Sequence, residues 1–168
     1  MRKLLLPIAI LAVLSFGTTT AQAQMTFGAQ ASYGGDSDLG VGARVATPLD
    51  NFMEGLIGVG SFDIFFPSDQ GTGVDFSWYE INLNGHYPIA MQGESSLNPY
   101  VGGGLNIAIL SISYDSAFVE DYSSTEIGLN LLAGSTFAPM DSGMVPFVEL
   151  RIEMSGGEQF VVSGGIYF

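Results

Sequence analysis

From about residue 25 onward, apolar and polar side chains alternate along most of the chain. In "SWYEINLNGHYP", Tyr79, Ile81, Leu83 and Tyr87 share one parity, while Trp78, Glu80, Asn82, Asn84 and His86 share the other. In "FVELRIEM", Val148, Leu150, Ile152 and Met154 oppose Glu149, Arg151 and Glu153. Val101, Leu105, Ile107 and Ile109 oppose Gly102, Gly104, Asn106 and Ala108, and Ile127, Leu129, Leu131 and Ala133 oppose Glu126, Gly128, Asn130 and Gly134. A period of two is the mark of a β-strand, and the 23 glycines disfavour helices. The pattern predicts eight strands, over roughly 25–34, 39–47, 53–62, 76–88, 99–112, 125–138, 146–154 and 158–168. Each is about the length a tilted strand needs to cross a bilayer.

The two faces differ in kind. One carries bulky aliphatics; the other carries glycine, asparagine, serine and a few charges. A soluble barrel turns its bulky face inward and its charges to water. Here that would leave glycine-rich faces exposed, with almost no charge to cover them. The opposite assignment suits an eight-stranded membrane barrel, whose narrow interior holds small side chains and leaves no open channel. Aromatics on the apolar parity gather near strand ends. Phe27, Tyr87, Phe137 and Phe168 fall toward one rim, and Tyr33, Tyr79 and Phe160 toward the other, as the aromatic girdles of such barrels do. The expected architecture is an all-β, eight-stranded antiparallel up-and-down transmembrane β-barrel. The third segment does not settle its register: Ile57 and Val59 share one parity, Leu56, Phe62 and Ile64 the other, and a bulge near Gly58 or Gly60 would switch faces.

The first residues add an export signal. Arg2 and Lys3 precede an apolar run from Leu4 to about Gly17, and "AQA" at 21–23 fits a small-residue cleavage site. The expected organisation is a signal peptide at 1–23 and a barrel domain at 24–168. Two of the four Lys+Arg then fall in the leader, and the mature chain sets two bases against 17 acids, a net charge of −15. Arg44 and Arg151 are its only strong bases. That argues against nucleic acid as a partner, since phosphates demand Lys and Arg. The absence of cysteine excludes a disulfide-stapled scaffold. With both termini on the periplasmic side, the connections 35–38, 63–75, 113–124 and 155–157 face outward, and 48–52, 89–98 and 139–145 are the inner turns.

The segments "NPYVGGGLNIA" at 98–108, "PFVELRIE" at 146–153 and the terminal "FVVSGGIYF" resemble those of the small OmpA/OmpX-like family of outer-membrane β-barrels. The resemblance covers the whole mature chain and implies a monomeric, porin-like barrel of the bacterial outer membrane, in contact with its lipid. The chain end is similar to the signal read by the barrel assembly machinery. Phe160, Val162, Ile166 and Phe168 match its alternating hydrophobics, although Gly164 fits poorly and Ile166 stands where an aromatic is more usual. The family also implies a charge cluster that plugs the lumen.

The residues for such a cluster are present. An arginine turned to lipid at the bilayer midplane costs about 2–4 kcal/mol, so Arg44 and Arg151 are expected inside. Glu80, Glu126, Glu149 and Glu153 share the inward parity and can pair with them. Catalysis is not expected: His86 is the one histidine, near the inner end, and no serine stands beside it in "NGHYP". "GGDSD" at 34–38 lacks the spacing of a calcium loop, and no metal or cofactor is expected. Three functions remain open: a structural or surface-interaction barrel, a narrow cation-selective channel, and a secreted soluble barrel that binds an apolar ligand. The acidity suits a saline habitat, where screening shortens to about 3 Å at 1 M salt. The refolded barrel should therefore hold its heat stability in molar sodium chloride. A melting temperature that falls as salt is raised from dilute buffer would count against that habitat.

Overall fold

The computed structural model describes residues 25–68, 74–91, 96–114, 122–154 and 158–168. The expected signal peptide lies outside these residues. The chain forms β1 (Thr26–Gly34), β2 (Asp38–Pro48), β3 (Ile57–Phe66), β4 (Val74–Pro88), β5 (Leu97–Tyr114), β6 (Tyr122–Phe137), β7 (Val145–Met154) and β8 (Phe160–Tyr167). Each strand pairs antiparallel with its sequence neighbours, and β8 closes on β1 from Gly28↔Tyr167 to Gly34↔Val161. The result is a closed eight-stranded up-and-down barrel, so no strand is left as a full-length open edge. Both described termini lie at one end of it, hereafter the termini end.

The parity assignment holds around the ring. Gly28, Gln30, Ser32, Arg44, Glu80, Asn82, Asn84, His86, Asn106, Asn130, Glu149, Arg151 and Glu153 are buried in the interior. Leu39, Val41, Leu83, Leu105, Ile127, Leu129, Leu131, Leu150 and Ile152 stand exposed on the outside, Ile127 at 68%. Full-sized aliphatics outside and charges within is the inverse of a soluble core, and it is the surface of a barrel that spans lipid. Phe27, Tyr33, Tyr87, Phe160 and Phe168 are exposed on that outer face, and Tyr79 and Phe137 are half-buried on it. Tyr79 stacks on Phe62, with ring centroids 6.3 Å apart. Phe27, Tyr87, Phe137 and Phe168 stand toward the termini end, and Tyr33, Tyr79 and Phe160 toward the opposite end.

Strand three departs from expectation. It starts at Ile57, not near residue 53, and runs to Phe66 without a bulge. Its register with β2 is continuous from Leu39↔Phe66 to Pro48↔Ile57. Residues 49–56 are instead used by a turn, in which the Phe52 and Met53 amides donate to the Leu49 carbonyl and Gly55 takes a left-handed φ of 77°. A left-handed residue costs glycine little, and that glycine ends the turn. The consequence is a fixed parity: Val59, Ser61, Asp63 and Phe65 face inward, and Phe62 and Ile64 face outward. Asp63 was expected in an outer connection; it is a lumen residue.

Three strands overshoot. β4, β5 and β6 have 15, 18 and 16 residues, against 8 to 11 for the others. A transmembrane strand needs only about 9–11 residues. Pairing of β4 with β5 continues to Val74↔Tyr114 and of β5 with β6 to Ile112↔Tyr122, whereas β6 meets β7 only from Leu129. At the end opposite the termini, β4–β6 therefore rise as a three-stranded flap. Among the described residues, Tyr122–Gly128 has β5 on one side and no strand on the other.

Glycine supplies clearance where the interior holds rings. A Cβ at Gly134 would lie 2.5 Å from the Tyr100 ring and 2.6 Å from the Val148 carbonyl. One at Gly165 would lie 2.7 Å from the Phe147 ring. Gly164, which faces outward, has nothing closer than 3.9 Å. Gly134→Ala should therefore destabilise the barrel by about 1–3 kcal/mol, the usual cost of overpacking, while Gly164→Ala is tolerated. The check is the temperature at which the folded band is lost in unheated-versus-heated gel migration; equal midpoints for the two variants would refute the packing argument.

Candidate functional site: the lumen charge network

Two arginines organise the interior. Arg44 on β2 makes a two-pronged contact with Glu149 on β7, Nη2 to Oε1 at 2.9 Å and Nη1 to Oε2 at 3.1 Å. The parallel fork fits a carboxylate better than any other cation does. Arg44 Nε donates to Gln30 Oε1 at 2.6 Å, and the guanidinium carbon lies 4.2 Å from the centre of the Phe147 ring. The Tyr100 hydroxyl donates to Glu149 Oε2 at 2.8 Å. His86 stacks on Tyr100, centroids 4.5 Å apart and planes 12° from parallel. Its Nε2 lies 3.5 Å from Glu149 Oε2, near enough for attraction but without hydrogen-bond geometry, and it is buried with no other partner.

The second network lies nearer the opposite end. Arg151 on β7 donates from Nη2 to Glu80 Oε2 on β4 at 2.9 Å and from Nε to Glu153 Oε1 at 2.8 Å. Gln159 Nε2 donates to both carboxylates, at 2.7 Å to Glu80 and 3.0 Å to Glu153, and its own Oε1 accepts from Ser37 Oγ at 3.0 Å. Trp78 Nε1 donates to Glu80 Oε1 at 2.9 Å. Asp63 accepts from Gln30, Ser32 and Ser61. Gln30 thus ties Arg44 to Asp63, because its oxygen takes the Arg44 donor and its nitrogen serves Asp63.

Of the six charged residues expected inside, the structure brings five together: Arg44, Glu80, Glu149, Arg151 and Glu153 are all at most 3% exposed. Glu126 is not with them. It is exposed on the part of β6 that rises past the last β6–β7 pair, where no facing wall encloses it. The pairing also differs from simple adjacency. Arg151 takes Glu153 but not Glu149, which goes to Arg44 across the bore. Asn82, Asn106 and Asn130 bind one another and Asn84 rather than the carboxylates. Sequence reasoning missed Asp63, Gln30 and Gln159. The alternation carried the signal for Asp63, once a continuous odd-numbered parity through β3 is assumed. Among the described residues, no three His, Cys, Asp or Glu side chains group to hold a metal ion.

Arg44→Ala strands the Glu149 carboxylate in a buried site and should cost about 3–5 kcal/mol of stability. Replacing both partners, as Arg44→Met with Glu149→Leu, should recover most of it. Urea unfolding in lipid vesicles, followed by the fluorescence of Trp78, measures both. Equal losses for the single and double variants would show that the pair is not the source.

No protein-family model matches the chain, and no curated protein sequence matches it. Solved structures do match in fold. Neisserial surface protein A is similar with a TM-score of 0.62 at 17% identity, over 85% of this chain and 94% of that one. The N-terminal β-barrel domain of Pseudomonas aeruginosa OprF has a TM-score of 0.58 at 15% identity, over 88% and 100%. Ail, the attachment invasion locus protein of Yersinia pestis, has a TM-score of 0.55 at 14% identity, over 85% and 93%. The fold of this chain is the eight-stranded barrel that these outer-membrane proteins share.

Proposed function

We propose that the chain is an integral, monomeric barrel of the bacterial outer membrane with a structural and surface-interaction role, its lumen plugged by the two arginine networks. One observation carries the plug. Arg44 joins β2 to β7, and Arg151 joins β7 to β4. Neither pair of strands is adjacent in the ring, so both ion pairs run as chords across the bore. An eight-stranded barrel is only wide enough for its own side chains, and chords of this kind leave no continuous path for a hydrated ion. The exposed aliphatic exterior supports the lipid setting. The exposed outer face of Phe160, Val162 and Phe168 on the last strand supports recognition by the barrel assembly machinery.

The surface role rests on the flap. Among the described residues its β6 edge has no partner strand, and an extended segment of a partner can meet such an edge by adding a strand. Ail has been captured with a heparin analogue, sucrose octasulfate. This chain is a poor candidate for such a polyanion, with two arginines after residue 3, both buried, and 17 acids. A neutral or cationic partner suits it better.

In planar bilayers the refolded chain should show no discrete conductance steps, and the Arg44→Ala, Arg151→Ala double variant should admit small cations. Steps from the unaltered protein would overturn the plug and favour the narrow-channel reading. Envelope fractionation with heat-modifiable migration tests the membrane setting separately: a folded, monodisperse chain in plain buffer without detergent would overturn it.

A further inference from the structure

At the termini end the bore widens into a cavity of about 260 Å³ to which all eight strands contribute wall residues. Three of its lining rings, His86, Tyr100 and Tyr167, adjoin the Arg44–Glu149 pair. The walls are mainly apolar, with Ile57, Val59 and Val145 beside Thr26, Asn98 and Thr136, and the stacked His86–Tyr100 pair and Tyr167 also line it. Three properties of this cavity define what it can hold.

The first is size. At about 260 Å³ it falls just under the usual range of drug-sized sites, so it takes one ring and a few further atoms. The second is charge. Arg44 and Glu149 neutralise each other, and no unpaired ionised group lines the cavity, so an ion entering it would lose water without a counter-charge. The third is polar capacity that the protein leaves unused. His86 Nε2 offers none of it: the atom is closed to solvent and lies 3.5 Å from Glu149 Oε2. The Tyr167 oxygen accepts from Arg44 at 3.5 Å, and its own proton has no acceptor among the described residues. Buried polar groups are normally satisfied, and exceptions call for an explanation. Flat rings at the inner end favour an aromatic partner by stacking or edge contact.

We propose that this mouth is a binding site for a small neutral aromatic alcohol, of the size and chemistry of phenol. The ring lies between the apolar wall and the His86–Tyr100 stack, and its hydroxyl oxygen accepts the free Tyr167 proton. The site goes beyond the plug reading: it needs the rings at its inner end in place, not a bore closed to ions along its whole length.

The test uses the full mature chain, refolded in nanodiscs and titrated with phenol. Binding is read from the proton resonances of the single histidine, His86. Shifts should saturate at one phenol per barrel, and sodium benzoate at equal concentration should leave them unmoved. Val59→Phe fills the cavity and should abolish saturation. Tyr167→Phe keeps the ring, removes the hydroxyl, and should weaken binding about fivefold to tenfold, followed by the His86 resonances. Shifts that rise linearly with phenol, or are unchanged in Val59→Phe, would mean partition into the lipid only and would overturn the site. If Val59→Phe does not fold, the saturation curve of the unaltered chain and the affinity of Tyr167→Phe decide between site and partition. Bilayer conductance separates the two proposals: a conducting barrel with saturable phenol binding rejects the plug alone, and a silent barrel without saturation rejects the site alone.

Discussion

Closure of β8 against β1 is the constraint from which the rest of this molecule follows. A strand in lipid must satisfy every backbone amide and carbonyl within the protein, and a sheet does so only when its edges meet. Eight strands are few, so the ring they form is narrow. A narrow ring forces the parity: full-sized aliphatics can stand only outside, and the inside takes glycine, serine, asparagine and whatever rings a neighbouring glycine accommodates. Tyr100 lies inside because Gly134 has no side chain. Charges enter only if they find partners there, because neither lipid nor bulk water is available to solvate them.

That narrowness turns ion pairing into architecture. Arg44 and Arg151 each reach a carboxylate on a strand that is not their neighbour, so each pair braces the ring across its width. Neutral amides extend each brace: Gln30 links Arg44 to Asp63, and Gln159 links Glu80, Glu153 and the Ser37 turn. A barrel stiffened from within can carry long strands above its rim. Here β4, β5 and β6 do that, paired with one another past the last β6–β7 pair.

Much of this was legible in the sequence, for a physical reason. Alternation over about ten residues has one simple solution in a barrel, and the eight strands fall close to where it puts them. Leu105, Leu129 and Leu150 outside, and Asn106, Asn130 and Glu149 inside, needed only parity. Strand three was not legible because its sequence is apolar on both faces. Val59 and Phe65 face the lumen, Phe62 and Ile64 the outside, and only the paired register with β2 distinguishes them. Glu126 was misplaced because parity gives direction but not height: it points along the inward series on a stretch of β6 that has outrun the enclosing wall. The partner of each arginine was equally hidden. Contact across the bore depends on strand tilt and stagger, which no local pattern records.

The interior charge is uneven along the axis, and the hydrogen bonds show how this is sustained. Toward the termini end Arg44 and Glu149 balance one another. Toward the other end Glu80 and Glu153 share the single Arg151, and buried Asp63 pairs with no cation among the described residues. The excess is met by neutral donors: three for Asp63, the Trp78 indole and Gln159 amide for Glu80, and the same amide again for Glu153. Amide and hydroxyl dipoles fixed in place stabilise a carboxylate without adding positive charge, so that half stays acidic while its carboxylates remain bonded. The balanced half needs fewer such donors, and there the space is taken by rings and aliphatic side chains instead. One end of the bore is thus a dense polar lattice and the other a neutral, partly apolar mouth. The difference follows from where the two arginines fall along β2 and β7.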